Sequence, residues 1–187
     1  KRVVIPVKGA WCPMAHMITP DQLDDLKALN PEAAVVCYVN STAEIKAKSD
    51  ICCTSANGVQ VVNSLPNREV IFVPDRNLAA YVARHTDKKI IPWDGYCYVH
   101  DRFTPVEVQA ARALHPAAEV LVHPECRPEV IDQADFVYST AGMGKHALAS
   151  KAREFIIGTE IGMIYRLKKE NPSKEFYPLS ENAVCQN

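Results

Sequence analysis

The sequence predicts an α/β protein built as a pseudo-threefold repeat of three-layer αβα units, with short parallel sheets and the active site at the centre. Three observations carry this. Short apolar runs alternate with helical patterns along the chain, the signature of parallel α/β units. The chain also repeats itself at an offset of 85 residues: Thr19-Pro20 matches Thr104-Pro105, ALNPEAAVV (28–36) matches ALHPAAEVL (113–121), Asp50 matches Asp135, and Thr54-Ser55 matches Ser139-Thr140. Finally, one cysteine stands at the same place in each repeat. Cys12 lies in GAWCPMAH, Cys97 in GYCYVHDR 85 residues later, and Cys185 in ENAVCQN a further 88 on. Three matched loops point to one shared axis.

The elements follow in order. VVCYV (35–39) is a valine-rich run suited to a buried strand. Ser41-Thr42-Ala43-Glu44 reads as a helix start, with Ser41 as N-cap and Glu44 completing a capping box. Residues 50–54 form the next strand and ANGVQVVNSL (56–65) the next helix. EVIFV (69–73) is a strand, RNLAAYVARH (76–85) has helical periodicity, and KKIIPW (88–93) is a strand leading to Cys97. The next copy opens with PVEVQAARALH (105–115), a helix with proline in its first turn. AEVLVHP (118–124) is a strand, RPEVIDQA (127–134) a short helix and FVYST (136–140) a strand. REFIIGT (153–159) is a strand, IGMIYRLKKEN (161–171) a helix and EFYPL (175–179) the last strand.

KRVVIP, before Cys12, resembles KKIIP, before Cys97. The expectation is therefore that residues 1–18 close an incomplete first unit with its cysteine loop. Residues 19–103 would form a second unit, and 104–187 a third that ends in Cys185. On this reading the chain is a fragment, or the ordered part, of a protein with three such units, lacking its N-terminal part and the extreme C-terminus.

Composition narrows the function classes. The 187 residues are 48% hydrophobic and 23% charged, enough for a substantial core. A formal net charge of −1, with Lys and Arg scattered, gives no electrostatic case for nucleic acid. No apolar run approaches the roughly 18 residues that span a bilayer, so no membrane partner is expected, and the start shows no signal-peptide pattern. Seven cysteines, an odd number without secreted-scaffold spacing, indicate a reducing compartment, read as the cytoplasm.

In parallel α/β sheets the chemistry gathers at the carboxyl ends of strands, and the candidate residues fall there. Cys12, Cys97 and Cys185 follow predicted strands, and three thiolates from remote loops can hold one metal centre. Three ligands would leave one iron of a four-iron cluster without protein sulfur, free to act as a Lewis acid. Cys37, Cys52, Cys53 and Cys126 lie in or at the ends of strands and are expected to be buried structural thiols. No CxxC is present, which argues against thioredoxin chemistry and zinc ribbons. Tyr38 and Asn40 end one strand, and His123 and Glu125 end its equivalent. A His–Glu pair can move protons near neutral pH, while Tyr and Asn can orient a carbonyl or carboxylate. The turns holding Ser55 and Ser139-Thr140 link a strand to a helix, where backbone N–H groups and hydroxyls suit phosphate or carboxylate or simply cap the helix. His100 either contacts substrate or caps its loop. His16, His85, His115 and His146 are read as surface or structural, and Trp11, Trp93 and Met14 as packing.

These residues together resemble the quinolinate synthase A family of NAD biosynthesis. The resemblance covers essentially the whole chain and rests on CPMA (12–15), YVNSTAEIKA (38–47), CTSAN (53–57), VPDRNLAAYVA (73–83), VHPEC (122–126), GTEIGMI (158–164) and Cys185 in AVCQN. It implies a transferase that condenses iminoaspartate with dihydroxyacetone phosphate to quinolinate, phosphate and water. It implies that Cys12, Cys97 and Cys185 hold a [4Fe–4S] cluster with one open iron. It further implies that Tyr38, Asn40, Ser55, His123, Glu125, Ser139 and Thr140 line the pocket, with Glu125 the main proton-transfer residue, Tyr38 assisting and Ser55 a phosphate or carboxylate contact. A handoff of iminoaspartate from L-aspartate oxidase or aspartate dehydrogenase belongs to the same expectation. Two departures stand out. The family's first unit supplies a histidine, a tyrosine and a serine that are absent here, so the chain alone is expected to be inactive. The CxxC pair that leads into the third ligand cysteine in some members is also missing, so that redox switch should not operate. Two other readings stay open: a non-catalytic thiol module that binds metal, and an α/β phospho-ligand binder with structural cysteines.

Overall fold

A computed structural model describes Val4, Val7 and residues 9–186. After a 3₁₀ turn at Pro13–His16 the elements are α1 (Pro20–Leu29), β1 (Ala34–Tyr38), α2 (Ala43–Ala47), β2 (Ile51–Cys53), α3 (Gly58–Ser64), β3 (Glu69–Val73), α4 (Arg76–Ala83) and β4 (Lys89–Pro92). The order then repeats as α5 (Pro105–Leu114), β5 (Glu119–Val122), α6 (Pro128–Ile131), β6 (Phe136–Val137), α7 (Thr140–Ala149), β7 (Glu154–Gly158), α8 (Gly162–Glu170) and β8 (Glu175–Pro178). Two four-stranded parallel sheets result, with orders β2-β1-β3-β4 and β6-β5-β7-β8.

The strand order is the same in both sheets because the same residues make it so. Asp50 and Asp135, 85 apart in sequence, do one job. Each accepts the N–H of the neighbouring central strand at 2.7 Å (Val35 and Val120), and each donates its own N–H to that residue's carbonyl at 3.0 Å. Thr19 and Thr104 cap α1 and α5 through full capping boxes, with Gln22 and Glu107 as the reciprocal partners. Lys88 and Lys174 each drive an ammonium into two carbonyls at 2.6 Å, closing the ends of α3 and α7.

Alternation along the central strands builds the three layers. Val36, Tyr38, Val70 and Phe72 face a core shared with α3 and α4, while Val35, Cys37, Ile71 and Val73 face α1 and α2. In the second sheet Val120, Val122 and Ile156 face α5 and α6, and Leu121, Phe155 and Ile157 face α7 and α8. Phe72 is fully buried at the centre of its face. Phe72→Ala is expected to cost about 3–5 kcal/mol, read as a lower urea midpoint at unchanged slope. The two units meet where α4 packs on α6, with the Arg84 guanidinium paired to the Asp132 carboxylate at 2.6 and 3.3 Å.

Several sequence expectations are corrected. The N-cap of α2 is Thr42, whose hydroxyl accepts the Ile45 N–H, rather than Ser41, which is buried. RPEVIDQA is helical only over Pro128–Ile131, and the FVYST strand is two residues long, because the chain turns into α7 at Ser139. Cys37, Cys53 and Cys126 are buried, but Cys52 is exposed: Cys53 faces the core, and alternation turns Cys52 to the opposite side of an edge strand. Trp11 is exposed, set edge-on against His16, so it packs far less than expected. Pro20–Leu29 is a helix to which the sequence reading gives no element. The expected strand over KRVVIP lies outside the described residues except for Val4. No described helix is long and apolar enough to cross a membrane.

Candidate active site and metal centre

Every strand of both sheets is parallel, so all eight carboxyl ends point the same way within their sheet. The candidate residues stand on the loops that leave those ends. Tyr38 ends β1, Ser55 follows β2, Cys97 follows β4, His123 and Glu125 follow β5, and Ser139 follows β6.

Glu125 is the meeting point. It is buried, and its Oε2 lies 2.8 Å from Nδ1 of His100 and 3.8 Å from Nδ1 of His123. The His100 contact pairs the imidazole with the carboxylate and is the strongest of the interactions that lower the Glu125 pKa. The second oxygen, Oε1, is buried with no hydrogen-bond partner among the described residues. The two imidazoles stack at 4.6 Å, and Nε2 of His100 pairs with Oγ1 of Thr159 at 2.9 Å. Tyr38 interacts with Glu125 and Ser55 and accepts a hydrogen bond from Nδ2 of Asn40 at 3.1 Å.

The electrostatics separate these groups. Burial works to raise the Glu125 pKa, but His100, His123 and Tyr38 together outweigh it and hold the carboxyl at about 2. Burial, then the charge of His100, pushes His123 down to about 3, so it is a neutral imidazole. Burial, then the negative charge of Glu125, raises the Tyr38 phenol far above its ordinary range. The Cys97 thiol is lifted to about 12 by burial and by Glu125, and burial also raises Cys12.

Among the described residues Cys97 joins this centre, with donor atoms of Cys97, His100 and Glu125 within 4.8 Å of one another, while Cys12 and Cys185 are exposed and outside that group. Cys97 is half-buried, and its charge and that of Glu125 are felt at Cys12, which leads into the 3₁₀ turn. Cys185 is exposed at the end of a strap whose bonds include Ile161 N–H to Ala183 O at 2.8 Å and Gln186 N–H to the Tyr98 hydroxyl at 2.7 Å. The second bond sets the residue after Cys185 against the residue after Cys97. Ser55 and Ser139 line one cleft of about 520 Å³ between the two units, with Tyr81, Tyr138 and Lys145. Ser139 also caps α7 by accepting the Gly142 N–H. Thr140 is exposed in the first turn of α7, and Asn40 is exposed beside Tyr38.

The donor set suits a cationic group. The largest charges acting on Cys97, Glu125 and Asp75 are one another and the two imidazoles, and none is a lysine or arginine. A bound metal centre reverses the rise at a thiol, because a coordinating thiol is deprotonated outright.

Three residues of this architecture carry no role in the sequence reading. Asp75 is fully buried. One oxygen caps α4 at Leu78 N–H (2.7 Å) and the other accepts the Cys97 N–H (3.1 Å). Burial, then Glu125, raises its pKa to about 7. Asn77 donates to Asp101 Oδ1 at 2.9 Å and to the Glu125 carbonyl at 3.1 Å. Thr159 holds His100. The available signal was weak: each is a polar residue at or just after a strand end. Asn77→Ala leaves the buried Glu125 carbonyl without this donor, while Asp101 keeps Arg76, and is expected to cost about 1–3 kcal/mol, measured by denaturant unfolding.

A family model described as quinolinate synthetase A protein matches residues 1–187. The chain belongs to this family. Among its curated relatives in the quinolinate synthetase A family, a quinolinate synthase of Methanoregula boonei is 58% identical over 187 residues, which are 100% of this chain and 62% of the relative. Quinolinate synthase 2 of Methanosarcina acetivorans is 54% identical over 187 residues, 100% of this chain and 60% of the relative. A quinolinate synthase of Alkaliphilus metalliredigens is 54% identical over 188 residues, 100% and 62% respectively. The chain thus spans about three fifths of the length of these family members.

Proposed function

We propose that this chain supplies two of the three units of a quinolinate synthase, which condenses iminoaspartate with dihydroxyacetone phosphate to give quinolinate, phosphate and water. The observation that carries the reading is Glu125: an ionised, buried carboxylate with one oxygen unpartnered, set between two imidazoles and the Cys97 thiol. The family match over the whole chain supports the substrate class. The pseudo-threefold arrangement, with a further unit completing the pocket, belongs to the same proposal, as do cytoplasmic location and supply of iminoaspartate by an aspartate-oxidising enzyme.

When held by Cys12, Cys97 and Cys185, a [4Fe–4S] cluster supplies an iron with an open position that acts as a Lewis acid. The chain's own residues do the rest. Glu125 accepts a proton from the substrate carbon or hydroxyl and returns it to a leaving hydroxyl. Tyr38, held protonated, donates a hydrogen bond to a carbonyl or carboxylate, and Asn40 fixes its direction. His123, held neutral, offers one ring nitrogen to the substrate. Ser55 and Ser139 bind phosphate or carboxylate across the cleft, with Lys145 adding positive charge.

The test is anaerobic purification of the whole protein, with iron, sulfide and Mössbauer measurements beside a quinolinate assay. About four iron and four sulfide per chain, with one iron site shifted by a substrate analogue, supports the reading. Absence of iron after anaerobic reconstitution leaves the thiol-module reading in its place.

A further inference from the structure

We propose that Cys97, His100 and Glu125 form a second, mononuclear metal site for one divalent ion of borderline softness, zinc or ferrous iron. It shares only Cys97 with the three-cysteine ligand set. One donor atom from each of the three residues lies within 4.8 Å of the other two. Thiolate, imidazole and carboxylate are the ligand types that zinc takes in three-ligand sites that keep a fourth position open.

Local structure explains the convergence. Cys97 and His100 stand three residues apart on one turn, closed by the Asp101 N–H on the Cys97 carbonyl at 2.9 Å. Glu125 arrives from the other unit, its carbonyl fixed by Asn77. The outer partner that a metal-bound histidine requires is already in place. Thr159 Oγ1 engages Nε2 of His100, which orients the ring with Nδ1 toward Glu125. One inner atom is then left over. Oε1 of Glu125 is buried with no hydrogen-bond partner among the described residues, while buried Nδ1 of His100 faces Oε2 of the same carboxylate at 2.8 Å. A buried carboxylate oxygen left unsatisfied is costly unless a further ligand takes it. A divalent ion takes a carboxylate oxygen and Nδ1, together with the thiolate.

The consequence is competition. An ion at this site occupies Cys97 and ties up Glu125, so a zinc-loaded chain cannot accept a cluster until the ion is removed. That consequence rests on the assignment of Cys97 as a cluster ligand, while the ion site itself does not.

The experiment is anaerobic titration of the whole apoprotein with Co²⁺ alone and with Zn²⁺ alone. The expected result is one Co²⁺ per chain, with a thiolate-to-cobalt charge-transfer band, retained in the Cys12→Ser/Cys185→Ser double variant. Glu125→Gln, His100→Gln and Cys97→Ser should each weaken binding by about 10–100-fold or more, and Thr159→Val by about 10–100-fold through loss of the outer partner. Far-ultraviolet circular dichroism checks that each variant is folded, and Glu125→Gln and Thr159→Val preserve side-chain shape. Loss of the site in the double variant places the ion on the cysteine trio and overturns the proposal. Wild-type affinity in both Glu125→Gln and His100→Gln overturns it as well. The cluster assignment fails on a different result: no iron–sulfur chromophore after reconstitution of metal-free protein, whatever zinc does.

Discussion

Glu125→Gln in the whole protein should keep full iron and sulfide content and lower the rate of quinolinate formation by about 10²–10⁴-fold, the range that one positioned proton-transfer group supplies. The substitution keeps the shape of the side chain and its backbone bond from Asn77. It removes the negative charge that His100 and His123 face at 2.8 and 3.8 Å. It also removes a charge that helps lift the Cys97 thiol and the Tyr38 phenol, so both should lose a proton more readily than in the wild type. Turnover near the wild-type rate in a cluster-replete variant would remove Glu125 from the mechanism.

Cys97→Ala should have the complementary signature: the fold retained and the four-iron chromophore lost. Cys97 sits on a turn fixed from two sides, by Asp75 at its N–H and by Asp101 at its carbonyl, so deletion of one sulfur leaves the loop in place. Circular dichroism of the variant should match the wild type while iron and sulfide fall to background. Survival of the four-iron content would show that the ligand set is wrong.

The fold was legible because two independent signals agree. Valine-rich strands such as AVVCY (Ala34–Tyr38) are buried end to end, so they read as short apolar runs. The 85-residue offset pairs Asp50 with Asp135, and both make the same latch. Boundaries were less legible for a local reason. Ser41 and Thr42 are both competent caps, and only burial of Ser41 selects its neighbour. Cys52 illustrates the limit of composition, since a cysteine in an edge strand faces inward or outward according to one step of register.

At the candidate site, residues that end strands could be found from the sequence, and Tyr38 and Glu125 do come together. The residues that hold them could not. Asp75 acts on a backbone N–H 22 positions away, and Asn77 on a carbonyl 48 positions away. Backbone partners leave no mark in residue type, so no spacing rule points to them.

Asp75 has a counterpart in Glu160, 85 residues on. Glu160 reaches only as far as the N–H of Gly162, at the start of its own helix, whereas Asp75 spans to the cysteine turn. Two copies of one blueprint have thus diverged in a single clasp. A hybrid with Glu in place of Asp75 would keep both sheets and both latches, but its thiol loop would lose the clasp on the Cys97 N–H and rely on backbone bonds such as Asp101 N–H to the Cys97 carbonyl. Duplication multiplied the scaffold; the division of labour between the copies lies in which acid learned to reach across.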